Sequence, residues 1–164
     1  MTAVTGDGTE QVDLAVVAYV DEGDWCLQQM RPTVLESVHT IVHELQRYPG
    51  ETGALAMLSV DEDFLLLVRT RGPEVTVLLS DAGAATDWPL ARSVVDQLGV
   101  PVPDEDEEVP AGDLGIVEDY GLPAAEMGEL LDDYDLYPDE VLSEIAGTIG
   151  FGDRFDEIAG LTDA

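Results

Sequence analysis

Three apolar runs in close succession constrain this chain more than any other feature. They are Ala54–Val60 (ALAMLSV), Phe64–Thr70 (FLLLVRT) and the run from Val75 in VTVLLSD. Asp61-Glu62-Asp63 and Arg71-Gly72-Pro73-Glu74 separate them. Runs of this length, rich in Val and Leu and broken by turn residues, predict antiparallel strands joined by tight connections. Gly72 is free to take positive φ, and Pro73 cannot continue a ladder. Strands without polar alternation are covered on both faces, so this three-stranded meander has to find its cover elsewhere in the chain.

The flanking segments supply some of it. Residues 1–11 are small and polar and read as a flexible tail. Val12–Val20 (VDLAVVAYV) and Trp25–Met30 predict a hairpin turning at Asp21-Glu22-Gly23-Asp24. From Thr33, or a neighbour, a helix to about Tyr48 is predicted, with Glu36 completing a capping box. Val34, Val38, Ile41, Val42 and Leu45 make its inner stripe, and Pro49-Gly50 ends it. A second helix is expected near Trp88-Pro89, capped by Thr86 or Asp87, with Leu90, Val94, Val95 and Leu98 inward and Gly99 as its stop. The fold class is therefore α+β: a five-stranded antiparallel sheet, two-layered, with two helices on one face, occupying residues 12–99. Residues 100–112 hold Pro101, Pro103, Pro110 and the run Asp104–Glu108, an acidic, Pro-rich linker extended by its own repulsion. Residues 113–164 read as a small helical module, opened by Pro123 and Pro138 and divided at Gly150 and Gly152, that either packs on the first domain or folds alone.

Charge narrows the function. The chain has 36 acidic residues against six basic ones, so phosphate backbones and anionic membranes are poor partners for it. Residues 101–164 carry 20 of those acids and a single base, Arg154, so a basic protein would be steered toward that half. Solubility or adaptation to high salt explains the same excess without any partner. Hydrophobic residues at 45% argue for a folded chain in spite of the charge. One cysteine, Cys26, excludes an internal disulfide and a cysteine zinc site, and its neighbours Trp25 and Leu27 suggest a buried thiol. The first residues lack the pattern of a signal peptide, and no apolar run has the length of a membrane span; a cytoplasmic protein is expected.

No constellation of catalytic residues emerges. His39 and His43 lie four apart on a predicted helix, a metal-compatible spacing, but both fall opposite its apolar stripe and no third ligand is evident. A calcium loop beginning at Asp133 would need glycine where Pro138 stands. Ser80-Asp81 lacks the glycines of a nucleophile turn and reads as a strand-end cap. Catalytic residues, metal and cofactor are thus all expected to be absent. What does stand out is DDYDLYPDE, where Tyr134, Leu136 and Tyr137 are set among acids. Aromatic anchors ringed by charge suit an interface with a basic partner; the same three residues would equally suit core contacts fastening the module.

Several segments carry a family resemblance: Leu78–Trp88 (LLSDAGAATDW), Leu98–Glu107 (LGVPVPDEDE), Gly112–Ile116 (GDLGI) and Leu136–Asp153 (LYPDE to GFGD). Over Val12–Leu161 the chain resembles the actinobacterial tRNA adenosine deaminase-associated proteins. The resemblance implies a protein encoded beside the zinc enzyme that makes inosine at the tRNA wobble position, without implying that chemistry or a contact with it. In agreement, this chain lacks the H-x-E and P-C-x-x-C ligands of that enzyme. The expected function is a non-enzymatic accessory or adaptor protein whose partner is the deaminase or another basic protein. The expected contact residues are Asp104, Glu105, Asp106, Glu107, Glu108, Tyr134, Leu136, Tyr137, Asp139 and Glu140. An enzyme of unrecognised type and an oligomerisation module are the alternatives.

Overall fold

The computed structural model describes residues 12–30, 37–48, 53–60, 64–86, 88–99, 110–133 and 136–159. Strands β1 (Val12–Asp21) and β2 (Asp24–Gln29) form the first hairpin. Glu22 (φ 55) and Gly23 (φ 84) both take positive φ at its tip, as a two-residue type I′ turn requires. Strands β3 (Ala54–Val60), β4 (Phe64–Arg71) and β5 (Glu74–Leu79) are the meander. The sheet runs β2-β1-β3-β4-β5-β6 and every pairing is antiparallel.

The sixth strand, β6 (Ala111–Gly112), corrects the expected count of five. It falls at the end of the segment read as a linker and pairs with β5 at Leu78 and Leu79. An Ala-Gly pair between Pro110 and Asp113 has no side-chain alternation, so nothing in its residues announces a strand.

Helices α1 (Val38–Leu45) and α2 (Pro89–Leu98) cover one face, as expected. Val38, Ile41 and Leu45 of α1 and Leu90, Val94 and Val95 of α2 pack on Val17, Ala56, Leu58, Leu66, Val68 and Leu79. The cap of α1 differs from the reading at Thr33 and Glu36, which lie outside the described residues. Ser37 is the N-cap, its Oγ accepting from Thr40 N–H, while Thr40 Oγ1 accepts from Ser37 N–H. Helix α2 starts from Trp88 with Pro89 in its first turn and no side-chain cap.

The opposite face corrects the two-layer picture. Helices α3 (Ala124–Leu131), α4 (Pro138–Ile149) and α5 (Gly152–Ala159) lie over it as a third layer. Register explains why one is needed. Strand β3 alternates Leu55 and Met57 against Ala56 and Leu58, and β4 alternates Leu65 and Leu67 against Leu66 and Val68, so both strands are apolar on both sides. Uncovered, Leu55, Met57, Leu65, Leu67 and Leu78 would forfeit about 2 kcal/mol each. That total, about 10 kcal/mol, is comparable with the usual net stability of a domain, roughly 5–15 kcal/mol. Met127, Leu142, Ile145, Ile149, Phe151 and Phe155 supply the cover, and each is buried.

Candidate interaction surface

Folding turns the charge asymmetry between halves of the sequence into an asymmetry between faces. In the α1/α2 layer, the described residues of 37–48 and 80–99 hold three acids and two bases, four of them paired as Glu44–Arg47 (3.2 Å) and Arg92–Asp96 (3.6 Å). In the α3–α5 layer, residues 110–133 and 136–159 carry thirteen acids against Arg154 alone. The helices bury their apolar stripes on the sheet and so turn Glu126, Glu129, Glu140, Glu144, Asp153 and Glu157 outward, where each is exposed. Carboxylates at this density on one side make a negative field that attracts a basic surface and repels nucleic acid.

Tyr137 sits within this face. It is the N-cap of α4 and is 57% exposed, the large hydrophobic side chain left in solvent among the described residues. Its backbone N–H donates to Glu140 Oε1 at 2.8 Å, which anchors the start of the helix in a polar loop. Leu136, beside it, turns inward and packs on the core under the third layer. The two readings of the DDYDLYPDE segment therefore divide by residue: Leu136 fastens, and Tyr137 faces out. Asp139 is half-buried and Glu140 exposed. Tyr134 and Asp104, Glu105, Asp106, Glu107 and Glu108 lie outside the described residues.

Beneath the face is a buried charge that sequence reasoning missed. Arg69, on β4, points from the α3–α5 side of the sheet into the 116–120 segment, with only 2% of its side chain exposed. Nη1 donates to Asp119 Oδ1 at 2.6 Å and to the Ile116 carbonyl at 2.8 Å, and Nη2 donates to Asp119 Oδ2 at 2.9 Å. The fork is bidentate, the strongest geometry for such a pair. The guanidinium also lies 4.3 Å from the centre of the Tyr120 ring, which packs edge-on against Trp25, itself against Phe151. Burial pulls the Arg69 pKa down, but the Asp119 hydrogen bond and the neighbouring Tyr120 and Asp119 outweigh it and the net shift is upward. The hydrogen bonds from Arg69 hold the Asp119 carboxyl below its ordinary value, against a smaller opposing effect of burial. The signal for this site was present as the one charge in FLLLVRT, two and four residues from Leu67 and Leu65 and hence on their face.

The remaining candidates resolve locally. His39 and His43 are both exposed, and no group of three or more His, Cys, Asp or Glu among the described residues could hold a metal. Ser80 Oγ accepts from Leu65 N–H (2.9 Å) on the neighbouring strand β4, and Asp81 Oδ1 accepts from Gly83 N–H (2.9 Å) in a local turn, so both satisfy backbone donors at the end of β5. Cys26 is half-buried rather than buried, because it lies on an edge strand. No helix among the described residues is long and apolar enough to cross a membrane.

A model of the Rv3753c-like tRNA adenosine deaminase-associated protein family matches residues 13–152. The chain belongs to that family. Protein Rv3753c of Mycobacterium tuberculosis is 36% identical over 162 residues, spanning 96% of this chain and 92% of that protein. No solved structure matches the chain. The family's description as deaminase-associated agrees with an accessory role.

Proposed function

We propose that this protein is a non-catalytic cytoplasmic accessory factor that binds the basic surface of a protein partner, the tRNA adenosine deaminase that its family description points to. Tyr137, Asp139 and Glu140 form the described part of the contact, Tyr137 as anchor and the carboxylates as steering charge. Asp104–Glu108 and Tyr134 extend it along the chain. The observation that carries this reading is the pairing, among the described residues, of one helical layer of nearly balanced charge with one almost wholly acidic layer that leaves a large aromatic side chain in solvent. A basic patch that binds tRNA is the kind of surface such a face would cover, so the protein would tune the access of tRNA to the enzyme. Capture of purified deaminase across a salt series tests it. Binding is expected at low ionic strength, weakening as salt rises and falling at least tenfold on Tyr137→Ala. Absence of binding at the lowest salt removes the proposal.

A further inference from the structure

The two edges of the sheet are finished differently. In β2 the peptide groups of Trp25, Leu27 and Gln29 face away from β1, since the hairpin closes on the Asp21–Asp24 pair. Helix α5 blocks that edge: Arg154 Nη1 donates to the Trp25 carbonyl, and Gln29 Nε2 donates to the Ile158 carbonyl at 3.2 Å. A charged side chain seated on an edge carbonyl is a common protection against strand pairing. On the other side of the sheet, β6 covers β5 only at Leu78 and Leu79, and Asp113 N–H donates to the Val77 carbonyl at 2.9 Å. Alternation then turns the N–H and C=O of Val75 toward the same open side, and no strand among the described residues pairs there. A groove of about 520 Å³ runs beside it, between Gln97 and Leu98 at the end of α2 and Gly112 and Asp113. Gly112 (φ 111) sits so close that a Cβ would lie 2.1 Å from the Val77 carbonyl oxygen; only glycine lets β6 press against β5 there and then leave the edge.

We infer that the β5 edge from Glu74 to Thr76 takes up an extended segment of a basic protein as an added strand, continuing the line of β6. Main-chain hydrogen bonds to the N–H and C=O of Val75 would supply affinity, and the groove beside Leu98 would receive alternate apolar side chains. Charge selects the occupant. Glu74 and Asp113 are exposed at the two ends of the edge, and a second copy of this chain would bring another net charge of −30 against the first. A segment alternating apolar with Lys or Arg residues fits both the groove and its rim. The inference rests on the basic-partner reading above and specifies a second point of contact for it.

The test uses the full chain and a synthetic ten-residue peptide alternating Val and Lys, with an N-methylated form that cannot pair as control. On adding the peptide, amide exchange at Val75 should slow at least tenfold, and the control should have no effect. Val75→Pro removes the outward N–H at an edge position that tolerates proline and should weaken peptide binding at least tenfold with unchanged circular dichroism. Should that variant misfold, Glu74→Lys with Asp113→Lys should weaken it comparably. Protection elsewhere, undiminished binding by both variants, or a dimer formed through this edge in light scattering overturns the inference. Deaminase captured equally by wild type and Val75→Pro overturns it while leaving the acidic-face proposal standing. Peptide bound at Val75 without capture of deaminase supports the edge and sinks the named partner.

Discussion

Removing either member of the Arg69–Asp119 pair should have unequal consequences, because the two partners are unequally buried. Asp119→Ala leaves a guanidinium that is 2% exposed facing the Ile116 carbonyl and the Tyr120 ring without its counter-charge. Orphaning a buried charge commonly costs about 3–5 kcal/mol. The Asp119 side is 42% exposed, so water screens the pair and reaches part of the vacated space, and about 2–3 kcal/mol is the expected loss. Arg69→Met instead leaves a carboxylate that solvent can reach, together with one carbonyl deprived of a donor; about 1–2 kcal/mol is expected. The double variant should then be more stable than Asp119→Ala alone, since the apolar pair strands no charge. Urea unfolding measures all three. With a slope near 2 kcal/mol per molar urea, Asp119→Ala should lower the midpoint by about 1–1.5 M without changing the slope. A loss under about 0.5 kcal/mol for Asp119→Ala, or Arg69→Met proving the worse of the two, would refute the reasoning that burial of Arg69 sets the cost.

The same pair sets an acid response. Asp119 has its folded pKa lowered below an unfolded value near 3.9, so its contribution is fully present above that value and is lost as pH falls through the folded one. The stability gap between wild type and Asp119→Asn should be constant above about pH 5 and should close below about pH 4, read by thermal melts across pH; Arg69 titrates too high to enter that window. Gly53→Ala should cost about 3 kcal/mol or more in urea unfolding, since φ is 90 and the new Cβ would lie 1.7 Å from the Thr70 carbonyl oxygen. A chain truncated after Gly99 should bind a hydrophobic dye and self-associate on gel filtration, because the sheet face of Leu55, Met57, Leu65 and Leu67 loses its cover. Tyr137→Ala should change stability by less than about 0.5 kcal/mol in the same unfolding assay, as its side chain is largely in solvent.

Local signals in the chain were enough for the elements. Apolar runs with turn residues between them specified β1–β5, and prolines and glycines bounded α2–α5, because strand alternation, helical stripes and φ restrictions act over a few residues and are written in residue type. The need for cover on both faces of β3 and β4 was equally determined, since no other arrangement buries FLLLV from both sides. Which segment provides that cover was decided only in three dimensions. Long-range packing carries no local mark, so α3–α5 could be recognised as helices without their seat on the sheet being known. The outward turn of Tyr137 beside the inward turn of Leu136, the two-residue strand β6 and the seat of Asp119 over Arg69 have the same origin: each depends on partners distant in the sequence, about fifty residues away for Arg69 and Asp119. The acidity of the chain belongs to its composition, whereas its concentration on one face follows from which helices bury which stripe.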